Sequence, residues 1–317
     1  LEAIENDLPE TTSQGGRVVR GAAQHILSEL YLALGIQLQA EGKTNEAHSA
    51  FEESVKYADK IINGSIYSLT SSRFGTRKSE EFASINIYKN GVFNPNQLVD
   101  TLTMKTNYYW DLFQEGNVNY QDGNKECIWA VQIDYSAYKA EDTKSKLNYS
   151  RTYGPVFRDG ATKHITGQLE DVGGRGIAQV IPTMYTRDTI YEGKWANDMR
   201  NSEIAFRRRF KGNVPTSPYY LIPIPWDVIY NGSSDPLTNI NNRSLCYPVS
   251  CKISTDKYTG ISEGENRSNL FRDDYIIRLP ETILLRAEAK QRLGNKQGAA
   301  EDINLLRTRA QCRYLVT

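Results

Sequence analysis

Tyrosine is the most frequent aromatic residue in this chain of 317 residues, which has 20 Tyr, 9 Phe and 4 Trp. A tyrosine ring has a flat apolar face and a polar hydroxyl, so it can stack on a sugar ring or a peptide while staying hydrated. We expect ligand contacts from Tyr135, Tyr138, Tyr149, Tyr153 and Trp195. Asn148 and Arg151 could exchange hydrogen bonds with ligand hydroxyls. The alternative for each ring is a half-exposed packing position, which we favour for most of the twenty tyrosines.

The sequence contains no signature of catalysis. It has no GxSxG, HExxH, P-loop or EF-hand motif, and the glycine run at 173–176 lacks phosphate-loop spacing. A glycosidase needs two carboxylates that face each other from separate elements, whereas Glu80-Glu81 and Asp273-Asp274 are adjacent in sequence. We therefore predict that the protein is not an enzyme. A glycoside hydrolase with two unrecognised carboxylates is the alternative.

Composition excludes several other classes of function. The chain has three histidines and no CxxC pair, so we expect no metal site and no cofactor. Its 38 basic and 38 acidic residues cancel, which argues against nucleic acid or an anionic membrane as a partner. In the basic run 207–209 we favour ion pairs within the protein. No stretch of about 18 apolar residues is present, so we expect no membrane-spanning helix.

Two segments near the start of the chain predict a helical hairpin. Residues 21–40 carry apolar side chains at helical spacing, Gly42 interrupts them, and residues 43–62 resume the pattern. Two helices joined by a short link that contains glycine pack antiparallel. The first residues are polar and acidic and show no signal peptide, and a helical pattern still runs at Thr317. We therefore expect a chain that is clipped at both ends.

The same pattern returns at residues 276–293 and, after Gly294, at 295–311. Gly, Ala and a large residue recur at equal spacing, as in tetratricopeptide repeats: Gly42, Ala47, Phe51 and Gly294, Ala299, Ile303. Two unrelated hairpins are the alternative. We predict more than about 40% helix, above the usual share, with helices near 20–40, 44–62, 276–293 and 297–309. On the third helix we expect Leu284 to face the core, and Arg278 and Glu288 to be paired, structural charges.

The middle of the chain is irregular. Residues 104–117 favour a short helix and a turn, and residues 125–135 favour a short buried strand. Trp110 and Trp129 should lie in the core. We predict a mainly α fold of tetratricopeptide-like hairpins with long irregular loops and a few short strands. One continuous domain would comprise a first hairpin at 1–70, a loop-rich middle with the ligand face at 71–270, and a last hairpin at 271–317.

Four stretches of the chain, which follow one another in the family's order, resemble the SusD/RagB family of surface nutrient-binding lipoproteins from Bacteroidetes. The most specific is YIIRLPETILLRAEAKQRLGNKQGAAEDINLLRTRA, from Tyr275 to Ala310. The others are Gly16-Arg17 with GAAQHILSELYL, ECIWAVQ at 126–132, and Gly174-Arg175-Gly176 through Pro182-Thr183 and Trp195 to DMRNSEIAFRRRF at 198–210. Compared with the family, the N-terminal lipoprotein cysteine, the first part of the domain and the C-terminal tail are missing.

The resemblance implies a partner and a location. In this family, four tetratricopeptide-like hairpins pack against a SusC-like TonB-dependent transporter, and the opposite face holds a glycan or, in some members, a peptide. The implied function is cell-surface binding of a nutrient oligosaccharide, as an outer-membrane lipoprotein whose lipid anchor lies outside this chain. Oligopeptide capture is one alternative. A tetratricopeptide-type module that docks a protein partner is another.

Overall fold

The computed structural model describes residues 1–141, 144–157, 164–183, 185–225, 228 and 247–317. Its α-helices are α1 (Arg20–Ala40), α2 (Thr44–Ile62), α3 (Tyr108–Asp111), α4 (Tyr135–Lys139), α5 (Tyr149–Tyr153), α6 (Leu279–Arg292) and α7 (Lys296–Arg309). Its strands are β1 (Phe82–Tyr88), β2 (Leu98–Lys105), β3 (Cys127–Val131), β4 (Phe206–Arg207), β5 (Val249–Ser250) and β6 (Asp274–Arg278). The structure is 38% helix, slightly less than predicted, and the mainly α fold class is confirmed.

The chain divides into two compact units. The helical unit comprises Leu1–Thr76, Glu115–Gln132 and Asp273–Thr317, and the loop-rich unit comprises Arg77–Gln114 and Ile133–Arg272. Both predicted hairpins belong to the helical unit, together with a short piece of the chain's middle. No helix in the described residues is long and apolar enough to cross a membrane.

The first hairpin consists of α1 and α2. Gly42 ends α1 with a φ of +78°, and the N–H of Lys43 donates to the carbonyl of Leu38 at 2.9 Å, as expected of a glycine helix stop. Phe51 of α2 is 2% exposed and packs where α1 has Gly35, whose missing side chain gives the ring its space. The two helices therefore approach closely at this point.

The second hairpin, α6 and α7, repeats this geometry. Gly294 has a φ of +80°, and the N–H of Asn295 donates to the carbonyl of Lys290 at 2.9 Å. The Asn295 side chain then accepts from the N–H of Gly298 and caps α7. The matching spacing in the sequence therefore corresponds to matching helix ends.

The predicted helix at 276–293 begins three residues too early. Residues 276–278 belong to β6, which pairs antiparallel with β3. Pro280 lies in the first turn of α6, the part of a helix in which proline is tolerated. Pairing with a strand about 150 residues earlier in the chain therefore decides the conformation of this segment. The predicted strand at 125–135 is confirmed as β3.

Two predictions about burial were wrong. Leu284 is 51% exposed rather than in the core. Trp129 packs against the core but stays half-buried, whereas Trp110 is 2% exposed, as predicted. The predicted pairing of Glu288 is found with Arg292 one turn away, at 2.7 Å, but the carboxylate is exposed and is not a buried charge.

The buried charge of α6 is Arg286 instead. Its Nε donates to Asp302 of α7 at 3.0 Å, and its Nη1 donates to Asp59 of α2 at 2.6 Å. Lys290 also contacts Asp302, at 2.9 Å. Asp302 is 2% exposed, so these bonds lie in a setting where water screens little. One guanidinium thus joins three helices of both hairpins.

The loop-rich unit has few regular elements. β1 pairs with β2 antiparallel, and alternate side chains of β1 are buried. α3 follows β2, where a short helix was predicted. One core cluster of the unit consists of Phe157, Ile165, Val172, Phe210, Ile224 and Val249. Most of these residues lie outside helices and strands, so loop segments build this part of the interior.

Substitution of Gly35 should test the close packing of α1 on α2. In Gly35→Ala the new Cβ would lie 2.6 Å from Cδ1 of Phe51. Overpacking costs about 1–3 kcal/mol, whereas the helix propensity of Ala regains only about 1 kcal/mol. We expect a lower free energy of unfolding in urea. In a Phe51→Leu background the loss should shrink, and an equal loss in both backgrounds would contradict this packing argument.

Two isosteric substitutions should show that the buried carboxylate contributes more to the free energy of unfolding than the exposed one. Asp302→Asn leaves Arg286 and Lys290 without their shared counter-charge, and breaking a buried pair costs about 3–5 kcal/mol. Glu288→Gln removes an exposed pair on the neighbouring helix and should change stability by less than about 1 kcal/mol. Urea unfolding of both variants provides the measurement. Equal losses would show that the Arg286 network contributes no more than a surface pair.

Candidate ligand-binding site

Two of the predicted ligand residues form an aromatic cluster with a buried phenylalanine. Tyr135 and Tyr138 are three residues apart on α4, so their rings share one face, with centroids 6.4 Å apart. The ring of Phe271 lies 4.7 Å from that of Tyr135 and 4.9 Å from that of Tyr138. Both tyrosines are half-buried. Phe271 therefore supports two rings that each keep part of their surface in solvent.

Polar groups surround this aromatic cluster (Tyr135, Tyr138 and Phe271). The Nζ of Lys146 donates to the hydroxyl of Tyr138 at 3.0 Å. Gly260, with a φ of +76°, lies over the hydroxyl of Tyr135, where any Cβ would collide with it. Burial and the nearby Glu263 carboxylate raise the pKa of Tyr135. The cluster thus combines apolar ring surface with hydrogen-bonding groups, the combination that binds sugars.

Tyr149 and Tyr153 form a second pair. They lie four residues apart on α5, with centroids 6.0 Å apart in an edge-to-face arrangement, and Tyr153 is 39% exposed. Asn148 precedes the helix and is exposed, while Arg151 is half-buried. The N–H of Ile177 donates to the carbonyl of Arg151 at 2.9 Å and ties α5 to the following segment.

An isolated β-bridge links the two pairs. Leu147 and Leu270 exchange backbone hydrogen bonds of 3.0 and 2.8 Å. Leu147 lies two residues before Tyr149, and Leu270 directly precedes Phe271, so four predicted ligand residues share one part of the loop-rich unit. The fifth, Trp195, ends a 3-10 turn and is half-buried.

Sequence reasoning missed Phe271 and Lys146. Phe271 lies more than 130 residues from α4 by numbering, and no local pattern marks it as the support of the two tyrosine rings. Lys146 stands in a polar segment where nothing distinguishes one lysine from another. The Leu147–Leu270 bridge brings these residues together.

Comparison with known proteins identifies the family. The model of the SusD family matches residues 125–317, which is more than half of the chain. The chain belongs to the SusD family. The resemblance in the sequence is thereby confirmed, and the matched region contains β3, the aromatic cluster and the second hairpin. No curated protein matches the chain.

Solved SusD-like structures share this fold. A SusD-superfamily protein from Parabacteroides distasonis has a TM-score of 0.54 at 18% identity, over 99% of this chain and 49% of that one. Surface glycan-binding protein A from Bacteroides thetaiotaomicron, in complex with laminarihexaose, has a TM-score of 0.52 at 16% identity, over 100% and 53%. A SusD homologue from the same organism has a TM-score of 0.56 at 14% identity, over 99% and 51%. The chain thus spans about half the length of these relatives.

The helical unit of this SusD-family chain has an open pocket of about 340 Å³ beside β3. Trp129 lines it and donates through Nε1 to the carbonyl of Gly16 at 2.9 Å. Asn119 accepts from Gln132 at 2.8 Å and donates to Asp273 at 2.6 Å. These polar groups bond to one another, so they fix the fold of this wall rather than face a ligand.

The predicted ion pairs of the run at 207–209 are found in part. Arg209 lies 3.8 Å from Glu203 at the surface. Arg207 is 5% exposed instead, and its Nη2 donates to the backbone carbonyl of Glu170 at 3.0 Å. Identical residues in this run thus meet different surroundings.

A buried carboxyl lies near Arg207. Asp171 is 4% exposed, its Oδ2 accepts from Asn213 at 3.1 Å, and its Oδ1 has no partner among the described residues. Burial raises the pKa of Asp171 to about 7, although the Asn213 hydrogen bond and the Arg207 charge oppose the shift and Glu170 adds to it. No group of three or more His, Cys, Asp or Glu in the described residues could hold a metal ion.

Asp171→Asn should change how stability depends on pH. Because the pKa of folded Asp171 exceeds the ordinary 3.8, the folded state holds this proton more tightly than the unfolded state. The protonated Asp171 carboxyl therefore contributes fully to the stability of the fold below pH 3.8, and this contribution is lost as the pH rises through about 7. We expect the wild type to lose stability relative to Asp171→Asn between about pH 5 and pH 8, measured by urea unfolding.

Asp100→Asn is a suitable control. Burial raises the pKa of Asp100, but the hydrogen bonds from Lys211 and the Thr101 backbone, together with the Lys211 charge, outweigh burial and lower the pKa below 3.8. Its pH dependence therefore falls in the acid range, and Asp100→Asn should follow the wild type between about pH 5 and pH 8. Parallel stability curves for the wild type and Asp171→Asn would contradict the raised pKa of Asp171.

Proposed function

We propose that this SusD-family chain binds a nutrient glycan at the cell surface and passes it to a TonB-dependent outer-membrane transporter. The observation that carries the proposal is the two tyrosine pairs, each partly exposed, held beside the Leu147–Leu270 bridge. Rings on short, anchored helices present flat apolar faces at little cost in side-chain entropy. Such faces suit the apolar surface of sugar rings.

The protein acts by binding rather than by catalysis. The carboxylates that act on Tyr135 have partners of their own: Glu263 lies 3.5 Å from Lys139, and Glu265 accepts from Asn269 at 2.9 Å. The corresponding location is the outer-membrane surface, with the transporter as partner.

Peptide capture is the second candidate, because tyrosine rings and hydrogen-bonding groups also suit an extended peptide. A screen of the purified protein against neutral and acidic oligosaccharides and against short peptides separates the two. Saturable binding of oligosaccharides alone supports the proposal. Binding of peptides alone would replace it. Co-purification with a TonB-dependent transporter from outer membranes tests the transfer step.

Substitution of the rings should locate the site. With the best oligosaccharide from the screen, Tyr138→Ala and Tyr153→Ala should each weaken binding by about five-fold, which is the loss of about 1 kcal/mol of ring stacking. Tyr314→Ala is the matched control, because Tyr314 is 41% exposed but lies in the helical unit. Titration calorimetry gives the Kd values. Unchanged binding by both site variants would place the ligand elsewhere, and the same titration with Trp195→Ala tests the fifth residue.

A further inference from the structure

A second pocket lies in the loop-rich unit, and the cationic residue that lines it is Arg207. Its empty space, counted together with its mouth open to solvent, is about 300 Å³. Arg207, Thr255 and Asp256 line it beside apolar side chains that include Trp110 and Val249. Because the volume includes open solvent, the pocket admits a small planar group rather than a long chain.

Arg207 is a buried cation with unused donors. It is 5% exposed, one amino group donates to the carbonyl of Glu170, and its Nε has no acceptor in the described part of the chain. Its closest ring neighbour is Phe210, 5.4 Å from the guanidinium carbon. Among the described residues no carboxylate comes within ion-pair distance, 4.0 Å, of this guanidinium.

The surrounding carboxylates are engaged with other groups. Both oxygens of Asp256 accept from Arg77 at 2.7 Å, and Glu170 accepts from Arg267 at 2.7 Å. Asp171 accepts from Asn213. The positive charge of Arg207 is therefore not neutralised by a direct partner, which is a costly arrangement for a buried ion.

We propose that this pocket is a carboxylate subsite that receives the acidic group of a uronate-type sugar residue. Arg207 donates to the two carboxylate oxygens through its Nε and a terminal amino group, in the fork geometry that arginine offers. A monoanion fits better than a phosphate monoester, because Asp256 is part of the same wall and disfavours a second negative charge. The inference rests on the proposed glycan binding and makes acidic oligosaccharides its substrate class.

The first experiment compares two small ligands of matched shape. Sodium D-glucuronate and D-glucose differ in one carboxylate, and their binding to the wild-type protein is measured by ligand-observed NMR titration. We expect glucuronate to bind at least ten-fold more tightly, the scale of a charged hydrogen-bond pair. Equal binding of the two ligands would overturn the subsite. Tighter binding of N-acetylglycine, a mimic of a peptide terminus, would overturn its assignment to a sugar.

Variants then locate the interaction. Arg207→Lys keeps the charge but loses the fork and should weaken glucuronate binding by about ten-fold. Thr255→Leu fills the pocket and leaves Arg207 in place, so it decides the question if Arg207→Lys does not fold. Arg209→Gln is the matched control, because Arg209 is exposed and pairs with Glu203. Unchanged glucuronate binding by Arg207→Lys and Thr255→Leu would overturn the proposal.

The outcomes distinguish this inference from the proposed function. A neutral oligosaccharide that binds through Tyr138 or Tyr153, with no binding of glucuronate, would overturn the carboxylate subsite and leave glycan capture standing. Glucuronate binding through Arg207, with Tyr138→Ala and Tyr153→Ala unchanged toward every oligosaccharide, would support the subsite and overturn the tyrosine site.

Discussion

The Arg286 guanidinium is the interaction on which the helical unit depends. The two hairpins are more than 200 residues apart by numbering, so no local pattern holds them together. Arg286 bonds to Asp302 within its own hairpin and to Asp59 of the other. Because the fork of a guanidinium satisfies two carboxylates at once, a buried charge that would otherwise be costly becomes a specific link between helices. The position of α6 also sets that of β6, which directly precedes it and pairs with β3.

In the loop-rich unit, the buried arginine Arg272 connects several segments of the chain. Arg272 is 6% exposed and donates to the backbone carbonyls of Phe113, Cys251 and Lys252. Loops that build a core bury carbonyl groups that no helix or sheet satisfies, and a guanidinium can satisfy several at once. Arg272 directly follows Phe271, the support of the aromatic cluster. The group that fixes these loops is therefore adjacent in sequence to the base of the candidate site.

The hairpins could be predicted from the sequence because their signals are local. Helical periodicity and a glycine stop act within a few residues, as at Gly42 and Gly294. Local signals were not sufficient at residues 276–278. A short apolar segment is compatible with a helix or a strand, and here the pairing with β3 decides for a strand. Tyr135 and Tyr138 were predicted as ligand residues of an irregular segment, but neither the short helix α4 that carries them nor their support, Phe271, was predicted. Arg286 and Glu288 are two residues apart, and only packing shows which charge is buried.

The contrast between Arg207 and the other two arginines bears on how a binding protein uses buried charge. Arg286 and Arg272 donate their hydrogen bonds to groups of the protein. A ligand could bind these guanidinium groups only by disrupting the fold. Arg207 keeps its Nε unused in a partly open pocket, on a short strand that pairs with β5. A buried donor without an acceptor destabilises the fold. A binding site nevertheless needs such donors, held in a fixed position and not bonded to other groups of the protein. Within the loop-rich unit, Arg272 fixes loop segments through backbone carbonyls, whereas Arg207 retains an Nε from which no group of the described residues accepts a hydrogen bond.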